Sequence, residues 1–379
     1  MKFALATLGS RGDAEPYAAV GRELQRRGHE VRMAVPPAYL EFVESAGLAA
    51  VPHGANLVRK FAPMPNPISM MWEILRDVTQ YWPEVGTALT SLADGADLLL
   101  ADPSQQGLAA NVGEYYGIPL ATLHFYPIEA GGPGITKDAE DAHRWELGLP
   151  EETGPSEWLE IQAYDELFFP GLAAEWAKRG LRRPFVGGLT LELRMDVDDE
   201  VASWIDAGTP PIYFGFGSVR VASSDDAVAM ISAACAELGE RALICSGASD
   251  FTDISQSEHV KIVDAVNHSA VFPACRAVVH HGGPGTTFAG IRAGAPTLIL
   301  WVSVDQPMWG AAVSRLDVGT ARPFFETTQK LLVADLRSIL TPHRVRRTRE
   351  VAAQMTTPAE SVTAAADLLE DAARLGRRA

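Results

Sequence analysis

His280-His281-Gly282-Gly283-Pro284-Gly285-Thr286-Thr287 is a turn built almost wholly of small residues between two apolar segments. Ala277-Val278-Val279 before it reads as a buried strand. Phe288-Ala289-Gly290-Ile291-Arg292-Ala293-Gly294 after it reads as a helix. A strand, a glycine turn and a helix N-terminus together form an anion site, because the first helical N–H groups lack partners and the helix dipole favours negative charge. Such a dipole contact is worth about 0.3–1 kcal/mol. Glycines let backbone approach a phosphate with no Cβ in the way, and a histidine at the strand's end adds a side-chain donor. A diphosphate is the ligand this chemistry suits, although the same pattern also serves as a plain turn. Adjacent strand residues point to opposite faces, so His280 and His281 are poorly placed to share a metal ion. No H-E-x-x-H, C-x-x-C or carboxylate cluster accompanies them, and no metal site or resident cofactor is expected.

Working outward, the same arrangement recurs. Pro211-Ile212-Tyr213-Phe214-Gly215-Phe216-Gly217-Ser218 is a strand running into a small-residue turn, as is Phe3 to Leu8 followed by Gly9-Ser10-Arg11-Gly12-Asp13. Thr297-Leu298-Ile299-Leu300 precedes Trp301-Val302-Ser303-Val304-Asp305-Gln306-Pro307. Strands of open α/β sheets deliver ligand groups at their carboxyl ends, so Asp305 and Gln306 are expected to face the crevice that His281 faces. A carboxylate beside an amide suits sugar hydroxyls; Asp-Gln before Pro equally suits a helix N-cap.

In order, Gly9 to Pro16, Arg27-Gly28-His29-Glu30-Val31-Arg32, Gly215 to Ser218, Val266-Asn267-His268, His280 to Thr287 and Asp305-Gln306-Pro307 span nearly the whole chain. This ordered set resembles the GT-B glycosyltransferases of the UDP-glycosyltransferase superfamily. Within it the chain is most similar to actinobacterial enzymes acting on glycopeptide antibiotics, macrolides and mycobacterial glycopeptidolipids. The resemblance implies transfer of a sugar from a UDP- or dTDP-sugar to a small hydrophobic acceptor, with inversion and without a bound metal.

It also implies residue roles. Asp13 matches the general base, whose alternative reading is a helix N-cap. A capping carboxylate is held in its charged form, which weakens it as a base. Ser10, Arg11, Gly12, Ser218, His281, Gly283, Gly285 and Thr286 are expected at the diphosphate, with His281 supplying positive charge. Val266 and Gly247 are expected at the nucleobase, and Asp305 and Gln306 at the donor sugar. The chain departs from the family at Cys245-Ser246-Gly247, where relatives often carry an arginine before the glycine, and at Pro284, where a small residue is usual. Acceptor residues are sought among Met71, Trp72, His124 and Tyr126; aromatic and Met residues at helical spacing also fit a core. The stretch from Val51 to Asp97 is short for the family, which suggests an open acceptor mouth.

At 379 residues the chain is long enough for two domains. Strand and helix patterns alternate, restart near Pro210, and predict two Rossmann-like, doubly wound parallel sheets. The expected divisions are an acceptor domain over 1–188, a linker over 189–209, a nucleotide-sugar domain over 210–357, and a helix over 358–379 that the resemblance returns to the first domain. Ligands are expected in a cleft between the halves. The net charge of −16 argues against nucleic acid and against lasting attachment to anionic lipid. Three cysteines, odd in number and widely spaced, fit a reducing cytoplasm. The first apolar run is too short for a signal segment. A monomer or weak dimer is expected, with at most transient membrane contact.

Overall fold

The computed structural model describes residues 1–54, 67–127, 136–151, 158–191, 193, 195, 197–218, 223–249, 258–302 and 305–376, with backbone alone for 67–79. The chain divides into two compact units. Of the described residues, the first takes in those within 1–54, 67–191 and 356–376, and the second those from 193 to 355.

The first unit carries β1 (Lys2–Ala6), α1 (Arg11–Arg26), β2 (Glu30–Val35), α2 (Leu40–Ser45), β3 (Ala49–Pro52), α3 (Pro67–Leu92), β4 (Leu98–Ala101), α4 (Gln106–Tyr116), β5 (Leu120–His124), α5 (Lys137–Glu146), β6 (Leu159–Gln162) and α6 (Leu172–Lys178). The second carries α7 (Val197–Asp206), β7 (Ile212–Gly215), α8 (Ser224–Leu238), β8 (Ala242–Cys245), β9 (Val260–Val263), α9 (His268–Val271), β10 (Ala277–His280), α10 (Pro284–Arg292), β11 (Thr297–Trp301), α11 (Gln306–Arg315), β12 (Gly319–Pro323), α12 (Gln329–Ile339) and α13 (Pro342–Ala352). The last helix, α14 (Pro358–Gly376), belongs to the first unit.

Each unit holds one six-stranded sheet, ordered β3-β2-β1-β4-β5-β6 and β12-β11-β10-β7-β8-β9. Every ladder is parallel. Counted from its own first strand, each sheet has the order 3-2-1-4-5-6 of the doubly wound fold, which the alternating patterns predict. Apart from Lys2 at the start of β1 and His280 at the end of β10, the central strands β1, β4, β7 and β10 carry no charged or imidazole side chain but long apolar runs, because helices cover both faces. In the first unit Ala4, Ala6, Leu99 and Ala101 pack against Val85, Leu89 and Leu108. In the second, Phe214, Val279 and Leu298 meet Ile231 and Leu336 on one face, while Tyr213, Val278 and Leu243 meet Val201 and Phe272 on the other. The stretch read as a linker over 189–209 therefore contains α7, with Val201 and Ile205 buried in the second unit's core. Asp199, Glu200 and Asp206 are exposed, which is why it reads as solvated, but Asp198 is buried beside Val201 and accepts the Met195 and Asn267 N–H groups at 2.8 and 2.9 Å.

This topology places the carboxyl ends of β1 and β4 at the switch point of one sheet, and those of β7 and β10 at the switch point of the other. All three cysteines are buried and none forms a disulfide. Burial pushes the Cys235 and Cys275 thiols up to about 12, so they are poor nucleophiles. No helix among the described residues is long and apolar enough to cross a membrane.

Candidate active site

In the second unit the turn after β10 is closed around one ring. The His281 imidazole lies between two glycines. A Cβ on Gly217 would stand 2.6 Å from its Cε1, and a Cβ on Gly283 would stand 2.7 Å from its Nε2. Gly217 also has φ +57°, a conformation side chains rarely take. Burial pushes the imidazole down to about 4, with a bond to the Gly215 backbone opposing the shift. The side chain is neutral at pH 7 and offers an N–H donor, not a cation.

Gly283 is the N-cap of α10, with Pro284 in the first turn, where a missing N–H costs nothing. Thr287 closes the cap by donating its N–H and its Oγ to the Gly283 carbonyl, at 3.0 and 2.9 Å. Gly285 and Thr286 follow Pro284, so their N–H groups have no carbonyl one turn back within the helix. A Cβ on Gly285 would meet nothing within 4 Å, so the space beside its Cα is open. Ser218 is exposed beside Gly217.

Gln306 borders the same turn. A Cβ on Gly282 would lie 3.0 Å from the Gln306 Cβ. The Gln306 Oε1 accepts the Val302 N–H at 2.7 Å, which ties the side chain to the loop after β11. Asp305 occupies the N-cap position of α11, yet its carboxylate makes no capping bond. Val266 is buried, which leaves its backbone as the part able to meet a base. Gly247 has a structural reason of its own. With φ +56°, its missing Cβ would fall 2.2 Å from the Gly217 carbonyl, which Ala248 N–H bonds at 2.8 Å. The His280 and His281 rings stand 6.1 Å apart and perpendicular, as expected for opposite faces of a strand.

In the first unit the corresponding turn follows β1. Ser10 is the N-cap of α1 and Asp13 is its N3 residue. One Asp13 oxygen, Oδ2, accepts both the Ser10 N–H, at 2.6 Å, and the Ser10 Oγ–H, at 2.8 Å. Asp13 is thus not the cap, as its alternative reading had it, but the reciprocal partner in a capping box. The Ser10 hydroxyl proton, expected at the diphosphate, points to Asp13. Gly9 makes this possible: φ is +112°, and a Cβ there would lie 2.5 Å from Asp13 Oδ2. Arg11 lies over the Phe42 ring at 4.6 Å and 3.8 Å from the Glu15 carboxylate. Gly12 is exposed.

Across the switch point, at the end of β4, stands a residue the sequence reading passed over. Asp102 is buried; its Oδ1 accepts the Ser104 N–H at 2.8 Å and its Oδ2 the Thr7 Oγ–H at 3.4 Å. Burial, and then the charge of Asp13, raise its carboxyl to about 6. The available signal was an Asp closing an apolar run directly before a proline.

Residues 3–101 match the family described as Glycosyltransferase family 28 N-terminal domain, and residues 221–372 match Erythromycin biosynthesis protein CIII-like, C-terminal domain. The chain is 56% identical to an uncharacterized glycosyltransferase of Mycobacterium tuberculosis, with the whole of both chains covered. The chain belongs to the GT-B glycosyltransferases of the UDP-glycosyltransferase superfamily. The glycosyltransferase is also 30% identical to the vancomycin aglycone glucosyltransferase of Amycolatopsis orientalis, over 98% of each chain. Among solved structures, the calicheamicin glycosyltransferase CalG4 superimposes with TM-score 0.74 at 16% identity, covering 98% of both chains. The spinosyn rhamnosyltransferase SpnG complexed with thymidine diphosphate does so with TM-score 0.71 at 18% identity, covering 96% of this chain and 99% of that one. At such identities these two likenesses speak for the fold.

The acceptor residues expected of the glycosyltransferase fare differently. Met71 and Trp72 fall in α3, but their side chains lie outside the described residues, as do residues 55–66 of the stretch expected to shape an open mouth. Tyr126 is partly buried. His124 is 1% exposed at the end of β5, with Nε2 3.1 Å from Thr122 Oγ1 and 3.3 Å from Glu160 Oε1. Arg183 in turn donates to both Glu160 oxygens, at 2.7 and 3.0 Å. Burial raises the Glu160 carboxyl, but the His124 and Arg183 bonds outweigh it and hold the group below its usual range. Nothing in the sequence near His124 announces partners from 36 and 59 residues away.

Proposed function

We propose that this glycosyltransferase is inverting and metal-independent, and moves a hexose or deoxyhexose from a UDP- or dTDP-sugar to a hydroxyl of a hydrophobic natural-product or glycolipid acceptor. The observation that carries the reading is the turn after β10: a neutral His281 N–H, two unclaimed helix N–H groups and open space beside the Gly285 Cα. Donors preorganised for a developing diphosphate charge supply electrostatic stabilisation with no reorganisation during reaction.

In this scheme the acceptor O–H gives its proton to the Asp13 carboxylate as its oxygen bonds to the anomeric carbon. The bond from that carbon to the diphosphate oxygen breaks, and its electron pair leaves with the diphosphate. His281, Gly285 and Thr286 hold that charge, with Ser218 beside them. The transition state resembles an oxocarbenium ion, and Asp305 with the Gln306 amide reads sugar hydroxyls. Uracil or thymine lies against the backbone at Val266. The protein works in the cytoplasm as a monomer or weak dimer.

The test is a donor-by-acceptor screen with UDP- and dTDP-sugars, read by mass spectrometry, with product anomeric configuration read by NMR. A glycoside of inverted configuration, formed equally with and without chelator, is expected. Retained configuration, or activity lost to chelator and restored by a divalent ion, overturns the mechanism. Nucleotide release with no glycoside over the panel replaces transfer with hydrolysis or epimerisation.

A further inference from the structure

His280 ends β10, in register with Gly215 of β7, so it stands at the switch point of the second sheet. It is 1% exposed, and the proposed chemistry does not use it. Its Nδ1 accepts the N–H of Gly282 at 3.0 Å. Its Nε2 is buried with no hydrogen-bond partner. An imidazole that accepts at Nδ1 carries its proton on Nε2, so the bond to Gly282 selects one tautomer.

The amide it holds is the hinge of the whole turn. Gly282 has φ +100°, and a Cβ there would stand 2.8 Å from Ile299 Cγ2 and 3.0 Å from Gln306 Cβ. The peptide on one side of Gly282 leads to His281, whose ring is wedged between Gly217 and Gly283. The peptide on the other side leads to Gly283, the N-cap whose carbonyl Thr287 binds. The direction of the Gly282 N–H therefore fixes both groups of donors at once: the His281 side chain and the first amides of α10. A ligand bound by several donors loses affinity when they drift, because their alignment must then be restored on binding.

We propose that His280 is a positioning residue for the donor diphosphate, holding the Gly282 N–H through a neutral Nδ1 acceptor so that His281 and the α10 amides face the phosphates. The inference rests on the proposed diphosphate site. It separates the two adjacent histidines by role: His281 touches the ligand, and His280 acts through the backbone.

The experiment uses the full chain and two variants that place an acceptor differently. Asn carries an oxygen near the position of Nδ1, whereas Gln reaches the position of Nε2. UDP, dTDP, uridine and thymidine are titrated calorimetrically into the parent protein, His280→Asn and His280→Gln. The parent is expected to bind the diphosphates more tightly than the nucleosides, which tests the site itself. His280→Asn should keep diphosphate affinity within about threefold, and His280→Gln should lose about tenfold or more, the order of one lost buried hydrogen bond. Nucleoside affinity should be unchanged in both. Equal losses in Asn and Gln, or parallel loss of nucleoside affinity, overturn the positioning role while leaving the parent's diphosphate preference standing. A parent with no such preference removes the site and the inference together. Should either variant fail to fold, long-range 15N–1H spectra of the parent decide: an unprotonated Nδ1 and protonated Nε2 at His280 are expected, and the opposite tautomer refutes the bond.

Discussion

Asp102 and His281 illustrate the same physics with opposite outcomes. Each loses water, and each is driven toward its neutral form. For His281 neutrality leaves a donor. For Asp102 it is incomplete, because the carboxyl lies at about 6 and is charged at pH 7 inside the unit, with Asp13 adding to the cost. The sign follows from linkage. A carboxyl raised from 3.8 in the unfolded chain to about 6 in the fold destabilises the fold above that window. The cost is absent below 3.8, grows between the two values, and is complete above 6. Asp102→Asn keeps an acceptor for the Ser104 N–H and removes the charge. It should stabilise the protein by about 1–3 kcal/mol at pH 7.5. The gain should fade as pH drops toward 4. Thermal melts of both proteins at the two pH values check this, and a gain that does not vary with pH would remove Asp102 as its source.

At the scale of elements, α14 shows how a late segment completes an early core. Its stripe of Ala365, Ala366, Leu369 and Ala373 is buried. Glu370 joins it to the start of the chain through His29 Nε2 at 2.7 Å and Arg27 at 3.5 Å, while Arg374 bonds its other oxygen at 2.6 Å. Asp165 secures the approach by accepting the Thr356 N–H and Oγ–H, both at 2.7 Å. Leu369→Ala should thus destabilise the first unit by about 2–5 kcal/mol, as buried Leu-to-Ala changes do. Denaturant melts followed by Trp fluorescence measure it, and a change below about 0.5 kcal/mol would mean that α14 merely rests on the surface. The apolar stripe was legible from sequence; its docking place came from family resemblance. Central strands were equally legible: β10 and β11 fall on the apolar runs that begin at Ala277 and Thr297. Edge strands β3 and β12 were not, since Ala-Ala-Val-Pro and Gly-Thr-Ala-Arg-Pro carry neither a continuous apolar run nor a clean alternation. Helix α1 begins at Arg11, where the capping box starts it, and Pro16 sits within the helix. A proline there removes the bond to the Gly12 carbonyl, and Gly12 is exposed, so water can take that bond. Turn chemistry marked the candidate site residues Asp13, His281 and Gly283. Asp102 and Glu160 stayed hidden because their importance arises from burial and from partners distant in sequence.

At the scale of the molecule, one topology is used twice, and each copy offers a different kind of group at its switch point. The first presents carboxylates, Asp13 and Asp102. The second presents N–H donors around His281. Each set is held within a unit that has its own sheet and core, so the chemistry they are proposed to perform should separate in kinetics. Asp13→Asn and Asp13→Ala change a group proposed to act only on the acceptor proton. Both should reduce kcat by about 10²–10⁴-fold, the usual worth of a general base, while Kd for UDP or dTDP stays within about twofold. Comparing the two variants isolates the capping role. Asn retains an oxygen for the Ser10 N–H, whereas Ala removes the reciprocal bond and should cost a further ~0.5–2 kcal/mol of stability. If Asp13 served only the helix, Asn would turn over within a few-fold of the parent and Ala would fail in proportion to its lost stability. Equal collapse of turnover in both variants, with thermal stability kept by Asn and nucleotide affinity kept by both, is the pattern that assigns the proton to Asp13. Loss of nucleotide affinity in the Asn variant would instead place Asp13 at the donor and end the division of labour between the two units.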